Sequence, residues 1–220
     1  MVTARPLDTL AQPPFPQPAP DALTPETLRS LARLARHWLR RGIRRRDAVG
    51  TELRRVDPLF DQARETGKPA MPTDHPVVRH LATALEGFHG LELLAHSGPL
   101  LPWRDGDAGV PPAVAPQDQL ARAEIIGPRA SLRHPDFILG FLLMAPHADH
   151  AMPGRPAMEL HHIVSGSALW TVGAATDERR PGDFVVHPGN TRYAIRTADE
   201  PLLTIYVVPG KHPTPPGLPA

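Results

Sequence analysis

Two periodicities divide this chain. From Thr24 to about Gly87 apolar residues recur at helical spacing; beyond about Leu120 they fall into short runs broken by glycine and proline. Thr24-Pro25 predicts the start of the first helix, because threonine suits the N-cap and proline the first helical position. Leu28, Leu31, Ala35, Trp38 and Gly42 then share one apolar face. A second helical pattern covers about 48–66 and breaks at Pro58, which lacks an N–H and clashes with the preceding turn. Asp74-His-Pro76 opens a third over about 77–87, with Val77, Leu81, Ala84 and Leu85 on one side. Strands are predicted at Ala123–Ile126, Phe137–Met144, Leu160–Val164, Leu169–Val172, Phe184–His187, Arg192–Arg196 and Leu202–Val208. Short strands at close spacing with Gly/Pro turns predict a barrel or sandwich. The expected fold class is therefore α+β: an N-terminal helical bundle, then a C-terminal β-barrel.

Composition fills in the outline. Residues 1–22 carry six prolines and little that could be buried, so a disordered arm is expected there. The expected division continues with a helical region over 23–96, a Pro/Gly/Asp-rich linker over 97–120, the barrel over 121–208 and a flexible tail over 209–220. A formal net charge of +1 gives no overall field toward nucleic acid or an anionic membrane, so neither partner is expected. With no cysteine there is no disulfide, thiolate metal site or cysteine nucleophile. The longest apolar run, Phe137 to Pro146, is too short to span a bilayer, and the first residues lack a signal-peptide core. A soluble cytoplasmic protein is the expectation. Arg40, Arg41, Arg44, Arg45 and Arg46 cluster after the first helix and predict a solvated face that complements the helix dipole.

The chemistry gathers in the second half. Met158-Glu-Leu-His-His-Ile-Val-Ser-Gly166 leads into Ala168-Leu-Trp-Thr-Val172 and then Pro181-Gly-Asp-Phe-Val-Val-His-Pro188. Strand alternation puts Glu159, His161 and Ile163 on one face and Leu160, His162 and Val164 on the other. Tyr193 and Ile195 likewise share a face, opposite Arg192 and Arg196. The succession of strand, glycine turn, strand, Pro-Gly-Asp turn and strand resembles a cupin barrel, a double-stranded jelly roll. Leu101-Pro-Trp-Arg104, Ala123-Glu-Ile-Ile-Gly-Pro128, Gly140-Phe-Leu-Leu-Met-Ala-Pro146, Pro156-Ala-Met-Glu159, Ser165-Gly-Ser-Ala-Leu-Trp170 and His187-Pro188 narrow the likeness. In this order they resemble the cupin-type dimethylsulfoniopropionate lyases, over about 25–212.

That resemblance implies a β-elimination: a base takes the proton alpha to the carboxylate, dimethyl sulfide leaves the beta carbon, and acrylate remains. It implies a first motif of the form Tyr-Pro-x-His-x-His-Pro-Ala-x-Glu-x-Tyr. The same segment here is His150-Ala-Met-Pro153-Gly-Arg155-Pro-Ala-Met-Glu159-Leu-His161. Glu159 keeps its place. Pro153 and Arg155 stand at the two histidine positions, His150 and His161 at the two tyrosines, and Tyr193 at the later histidine. A rebuilt metal site would draw on Glu159, His161, His150 and His147; imidazole and carboxylate suit zinc, iron, manganese or nickel. The alternative is a metal-free polar cavity whose histidines bond to one another and to Tyr193.

In the elimination His161, Tyr193 and His150 are the candidate catalytic groups. Arg155 is the candidate clamp on a small-molecule carboxylate, because guanidinium grips carboxylates through paired hydrogen bonds; otherwise it is an exposed loop residue. His187 is expected to be structural. The functional expectation is a dimethylsulfoniopropionate lyase-like enzyme, a carbon–sulfur lyase, with a homodimer as a common cupin assembly. The alternatives are a cupin diverged toward another small carboxylate and a non-enzymatic binding module.

Overall fold

The computed structural model describes residues 23–66, 68, 71–88, 91–105 and 118–211. The expected arm at 1–22, the middle of the expected linker and most of the expected tail lie outside the described residues. Helix α1 spans Pro25–Leu39, and the Thr24 side chain caps it by accepting from the Thr27 N–H. It buries Leu28, Leu31, Ala32, Ala35 and Leu39. Helix α2 (Ala48–Val56) stops where Pro58 predicts; a 3-10 segment, Asp57–Gln62, follows in place of more α-helix. The third helix is shorter than its periodicity suggests. His75 caps it, Pro76–His80 is 3-10, and only Leu81–Leu85 is α-helical (α3). A fourth helix, α4 (Glu92–Ser97), runs into a 3-10 turn at Gly98–Leu100. The five arginines after α1 are exposed; Arg40 pairs with Asp57 and Arg45 with Asp47.

Eleven strands are described. β1 (Arg64–Glu65), β3 (Leu132–Arg133), β2 (Leu120–Ile126), β4 (Phe137–Met144), β11 (Leu202–Pro209), β6 (Glu159–Ser165) and β9 (Phe184–His187) form one sheet in that order. β5 (Asp149–Met152), β10 (Tyr193–Thr197), β7 (Ala168–Val172) and β8 (Ala175–Arg179) form the second. The seven predicted strands are all present. β1, β3, β5 and β8 are additions to that set: β1 and β3 are two residues each, β8 is a largely exposed edge strand, and β5 buries only His150 and Met152, so none carries an apolar run.

Strand parity sets what each face of the large sheet does. Ala123, Leu139, Phe141, Leu143, Leu160, Val164, Leu203, Ile205 and Val207 point one way and pack against the helices in the larger core. Leu142, Met144, Ile163, Leu202 and Tyr206 point the other way and meet Met152, Trp170, Tyr193 and Ile195 of the small sheet in a second core. Two largely antiparallel sheets closed face to face over this second core make the cupin barrel, with the helices laid on its outer side. No described helix is long and apolar enough to cross a membrane.

Candidate active site

The inward parity of β6 carries Glu159 and His161 into the barrel, as the alternation predicts, and sends His162 outward. There His162 stacks on Phe184 (ring centroids 4.4 Å) and lies 5.8 Å from Trp38 of α1. It belongs to the packing between sheet and helices. Beside Glu159 across β6 and β9 sits its register partner His187. Opposite, from β10, Tyr193 lays its ring on His187 at 3.8 Å.

The residue that organises this interior is one that the sequence motifs miss. Arg122 of β2 is buried, shares parity with Leu120 and Glu124, and reaches Glu159 Oε1 with Nη1. Its Nη2 donates to the Tyr193 hydroxyl at 3.2 Å, and its guanidinium lies 4.9 Å from the Tyr206 ring centroid. That ring needs Gly140 beneath it, since a Cβ there would collide with the ring and with the Ala123 carbonyl. Arg155 closes the other side, its Nη2 donating to Glu159 Oε2 at 2.6 Å. The loop that carries it is held against the 188–191 turn by an Asn190 N–H to Arg155 carbonyl bond. Gly154 permits that approach, for any Cβ would strike the Asn190 backbone.

Both oxygens of Glu159 are thus held by guanidinium groups. Burial alone would raise its carboxyl; Arg122, His161 and Arg155 outweigh that and hold it well below the ordinary range. His161 is fully buried, with Nδ1 3.0 Å from Thr204 Oγ1. Its Nε2 lies 3.0 Å from Glu159 Oε1 but is not aligned for a hydrogen bond. Burial lowers its pKa against the pull of Glu159. Burial likewise pushes His150 down to about 4 and His187 to about 2, so both rings are neutral near pH 7. Tyr193 is raised by burial, with Arg122 opposing.

His150 is buried beside the cluster, its ring 6.2 Å from that of Tyr193. His147 is not brought in. Its backbone takes a left-handed turn (φ 57°), and the side chain, 73% exposed, lies 3.6 Å from Asp199. Arg155 is no free loop residue: its side chain is only 20% exposed and is committed to the cluster. Arg122 leaves a signal in the sequence, an arginine at an inward position of an apolar strand, where a buried charge requires a partner. His187 leaves none beyond its parity, which reads equally well for a packed ring.

Glu159, His161 and His187 bring one ligand atom each within 4.8 Å of one another, so by spacing this triad could hold a metal ion. Two further facts bear on the fit. Trp170 Nε1–H donates to His187 Nε2 at 2.6 Å, which puts the proton of the neutral ring on Nδ1, so neither nitrogen offers a lone pair to a cation. A dication roughly 5 Å from each guanidinium would also meet about 7 kcal/mol of repulsion from each at an effective dielectric of roughly 20. The Glu159 carboxylate would offset part of that sum, but it is already shared between the two guanidinium groups. The donors have the spacing, but as arranged here the charges do not suit a metal.

A family model described as dimethylsulfoniopropionate lyase matches residues 50–204, more than half of the 220-residue chain and every residue of this cluster except Tyr206. The chain belongs to that family. A Cereibacter sphaeroides protein bearing a dimethylsulfoniopropionate lyase name, DddL, is 31% identical over 146 residues, covering 63% of this chain and 61% of the relative. The chain therefore matches about three fifths of that relative's length. Among solved structures, the lyase DddQ of Ruegeria pomeroyi superposes with a TM-score of 0.67 at 19% identity, over 85% of this chain and 93% of that one. A structure described with the lyases RdDddP and RnDddQII gives 0.66 at 21%, over 84% and 93%. At such identity the likeness is one of fold: helices on a cupin barrel.

Proposed function

We propose that this chain is a carbon–sulfur lyase that cleaves dimethylsulfoniopropionate to dimethyl sulfide and acrylate through a rearranged site. What supports the reading is that the family match takes in the whole inward-facing cluster of Arg122, Arg155, Glu159, His161, His187 and Tyr193. In this reading the substrate carboxylate lies against Arg155, backed by Arg122, and the positive charge steadies the carbanion-like charge that builds as the alpha proton leaves. The electron pair of that C–H bond forms the new double bond, and the C–S pair leaves with dimethyl sulfide.

We assign the proton transfer to the Tyr193 hydroxyl oxygen. It accepts from Arg122 Nη2 at 3.2 Å inside the barrel, beside Glu159. Burial keeps the Tyr193 phenol protonated near pH 7, so its own proton must leave as the oxygen takes the alpha proton; His150, buried and neutral with its ring 6.2 Å from that of Tyr193, is the base that receives it. His161, fully buried with one nitrogen on Thr204, becomes a positioning residue for Glu159 instead of the base. Two guanidinium groups repel a sulfonium, so its methyls face the aromatic wall, where ring faces attract cations. No step of this reaction is drawn through a metal, because the donors as arranged do not suit one.

Dimethyl sulfide release, followed by gas chromatography, tests the reading. Tyr193→Phe should lower turnover by about 10²-fold or more while the fold persists. Release by the wild type no faster than a no-enzyme control, with and without added zinc, iron, manganese or nickel, would reject it. The second reading, a cupin that takes another small carboxylate, is favoured by the same two arginines, which select a carboxylate whatever is attached to it.

A further inference from the structure

We infer that the loop 153–158 is a lid over the buried cluster and that Arg155 is its latch: the loop swings off the 188–191 turn to let a small molecule reach Glu159, His161 and Tyr193. That the passage serves a substrate rests on the lyase reading above; that the loop opens does not.

The cluster is shut. Arg122, His150, Glu159, His161, His187 and Tyr193 are each 5% exposed or less, so no substrate touches them while the protein holds this shape. They sit on β2, β5, β6, β9 and β10, whose backbones are tied into ladders, and moving any of these strands breaks several bonds at once. Arg155 alone among them comes from a loop, and its side chain, 20% exposed, lies between the cluster and solvent.

Little holds that loop. Pro153, Pro156 and Ala157 are exposed, and of the described residues none from 153 to 158 belongs to either apolar core. The two prolines have no N–H to bond. Contact with the 188–191 turn is backbone against backbone, with a glycine on each side. A Cβ on Gly154 would strike the Asn190 backbone, and one on Gly189 the Pro156 carbonyl. Arg155 fastens the loop through both its backbone and its side chain. Its carbonyl accepts from the Asn190 N–H at 2.5 Å; its guanidinium donates to Glu159 Oε2 at 2.6 Å and also bonds the Tyr193 side chain. One residue thus joins the exposed seam to the buried cluster, and breaking its bonds frees the loop without disturbing a strand. Segments with few apolar contacts and few backbone bonds open far more often than the core around them. A lid of this kind shuts water out of the reaction once substrate is inside.

Native-state hydrogen exchange of the full chain, without substrate, tests the lid. Two protons report it: the Asn190 N–H at the seam, and the Trp170 indole N–H, which donates to His187 inside the cluster on a side chain that is itself buried. The β11 amides, in the interior of the large sheet, report global unfolding. Both reporters are expected to exchange at least about tenfold faster than the β11 amides, at rates that dilute urea leaves unchanged, because a local opening exposes little surface. Arg155→Gln keeps the backbone carbonyl and removes the latch, so both rates should rise about tenfold or more. Trp170 exchanging at the β11 rate overturns the lid. So does an Arg155→Gln variant in which Asn190 speeds up and Trp170 does not.

If Arg155→Gln does not fold, the wild type and Gly189→Ala still test the lid. The new Cβ pushes on the Pro156 carbonyl from the turn, so the Trp170 indole should exchange severalfold faster with the β11 amides unmoved. A Trp170 rate unchanged relative to β11 overturns the lid. Dimethyl sulfide release is scored separately. A protein that opens in this way and releases none keeps the lid and loses the lyase reading. One that releases dimethyl sulfide while its Trp170 indole exchanges only with global unfolding keeps the lyase and loses the lid.

Discussion

Arg122 is a full charge at an inward position of an apolar sheet, and what stabilises it comes from strands far along the chain. Glu159 meets one nitrogen, Tyr193 another, and the Tyr206 ring lies under the guanidinium plane. Removing one member of a buried ion pair strands the other, so Glu159→Ala should destabilise the fold by about 3–5 kcal/mol in urea titrations. The paired replacement of Arg122 by Met and Glu159 by Leu should recover most of that loss, since a well-packed apolar pair of similar volume is often neutral to stability, within about 1 kcal/mol. A double variant as weak as the single one would show that the pair acts through shape and not charge. His162 is the contrasting case, a buried ring among Trp38 and Phe184 with no aligned partner for either nitrogen. Replacing it with leucine should raise stability by about 1–2 kcal/mol, the cost of an unsatisfied buried polar group, read as a higher urea midpoint at unchanged slope.

At the scale of elements, local signals are legible wherever a residue's own backbone preference decides the outcome. Thr24-Pro25 starts α1 as expected, and Pro58 ends α2. The third helix is short because Val77 and Leu81 serve a 3-10 turn as well as they serve an α-helix, and apolar spacing alone does not separate the two over so few residues. The join after α2 is fixed by charge. Asp57 accepts from Arg36 and Arg40, chiefly Arg36, which hold its carboxyl at about 2 against an ordinary 3.8. The unfolded chain therefore takes up that proton at higher pH than the folded one. The stabilisation is complete above about pH 4 and disappears as pH falls through about 2. Asp57→Asn should lose about 1 kcal/mol at neutral pH, allowing for solvent screening at this partly exposed site. Below pH 2 the variant and the wild type should unfold at the same urea concentration.

At the scale of the molecule, helices and barrel share one core. Phe141 and Ile205 on the outer face of the large sheet belong to the same apolar cluster as Leu31 and Leu53 of the helices. Phe141→Ala should therefore cost about 3–5 kcal/mol. It should shift tryptophan fluorescence and far-ultraviolet circular dichroism together, because Trp38 and Trp103 report the helical side, Trp170 the barrel and the dichroism the whole. Separate transitions for the two signals would mean that the helical layer unfolds on its own.

The sequence by itself determined the faces. Alternation along β6, β10 and β11 decides which side chains enter the barrel, and so the inward placement of Glu159, His161 and Tyr193 is legible from residue order alone. Helix starts, the switch to strand periodicity and the cupin order of turns follow from the same local rules. What only the tertiary structure decided is which inward residues meet. β2 lies three places from β6 in the sheet, with β4 and β11 between, so Arg122 and Glu159 are brought together by non-local pairing that no local spacing encodes. His147 falls away from the cluster for the corresponding reason: closeness in sequence places it near His150, but a left-handed turn points it to solvent. Parity is a property of each strand alone, whereas a charge cluster is a property of strand order, register and side-chain reach together.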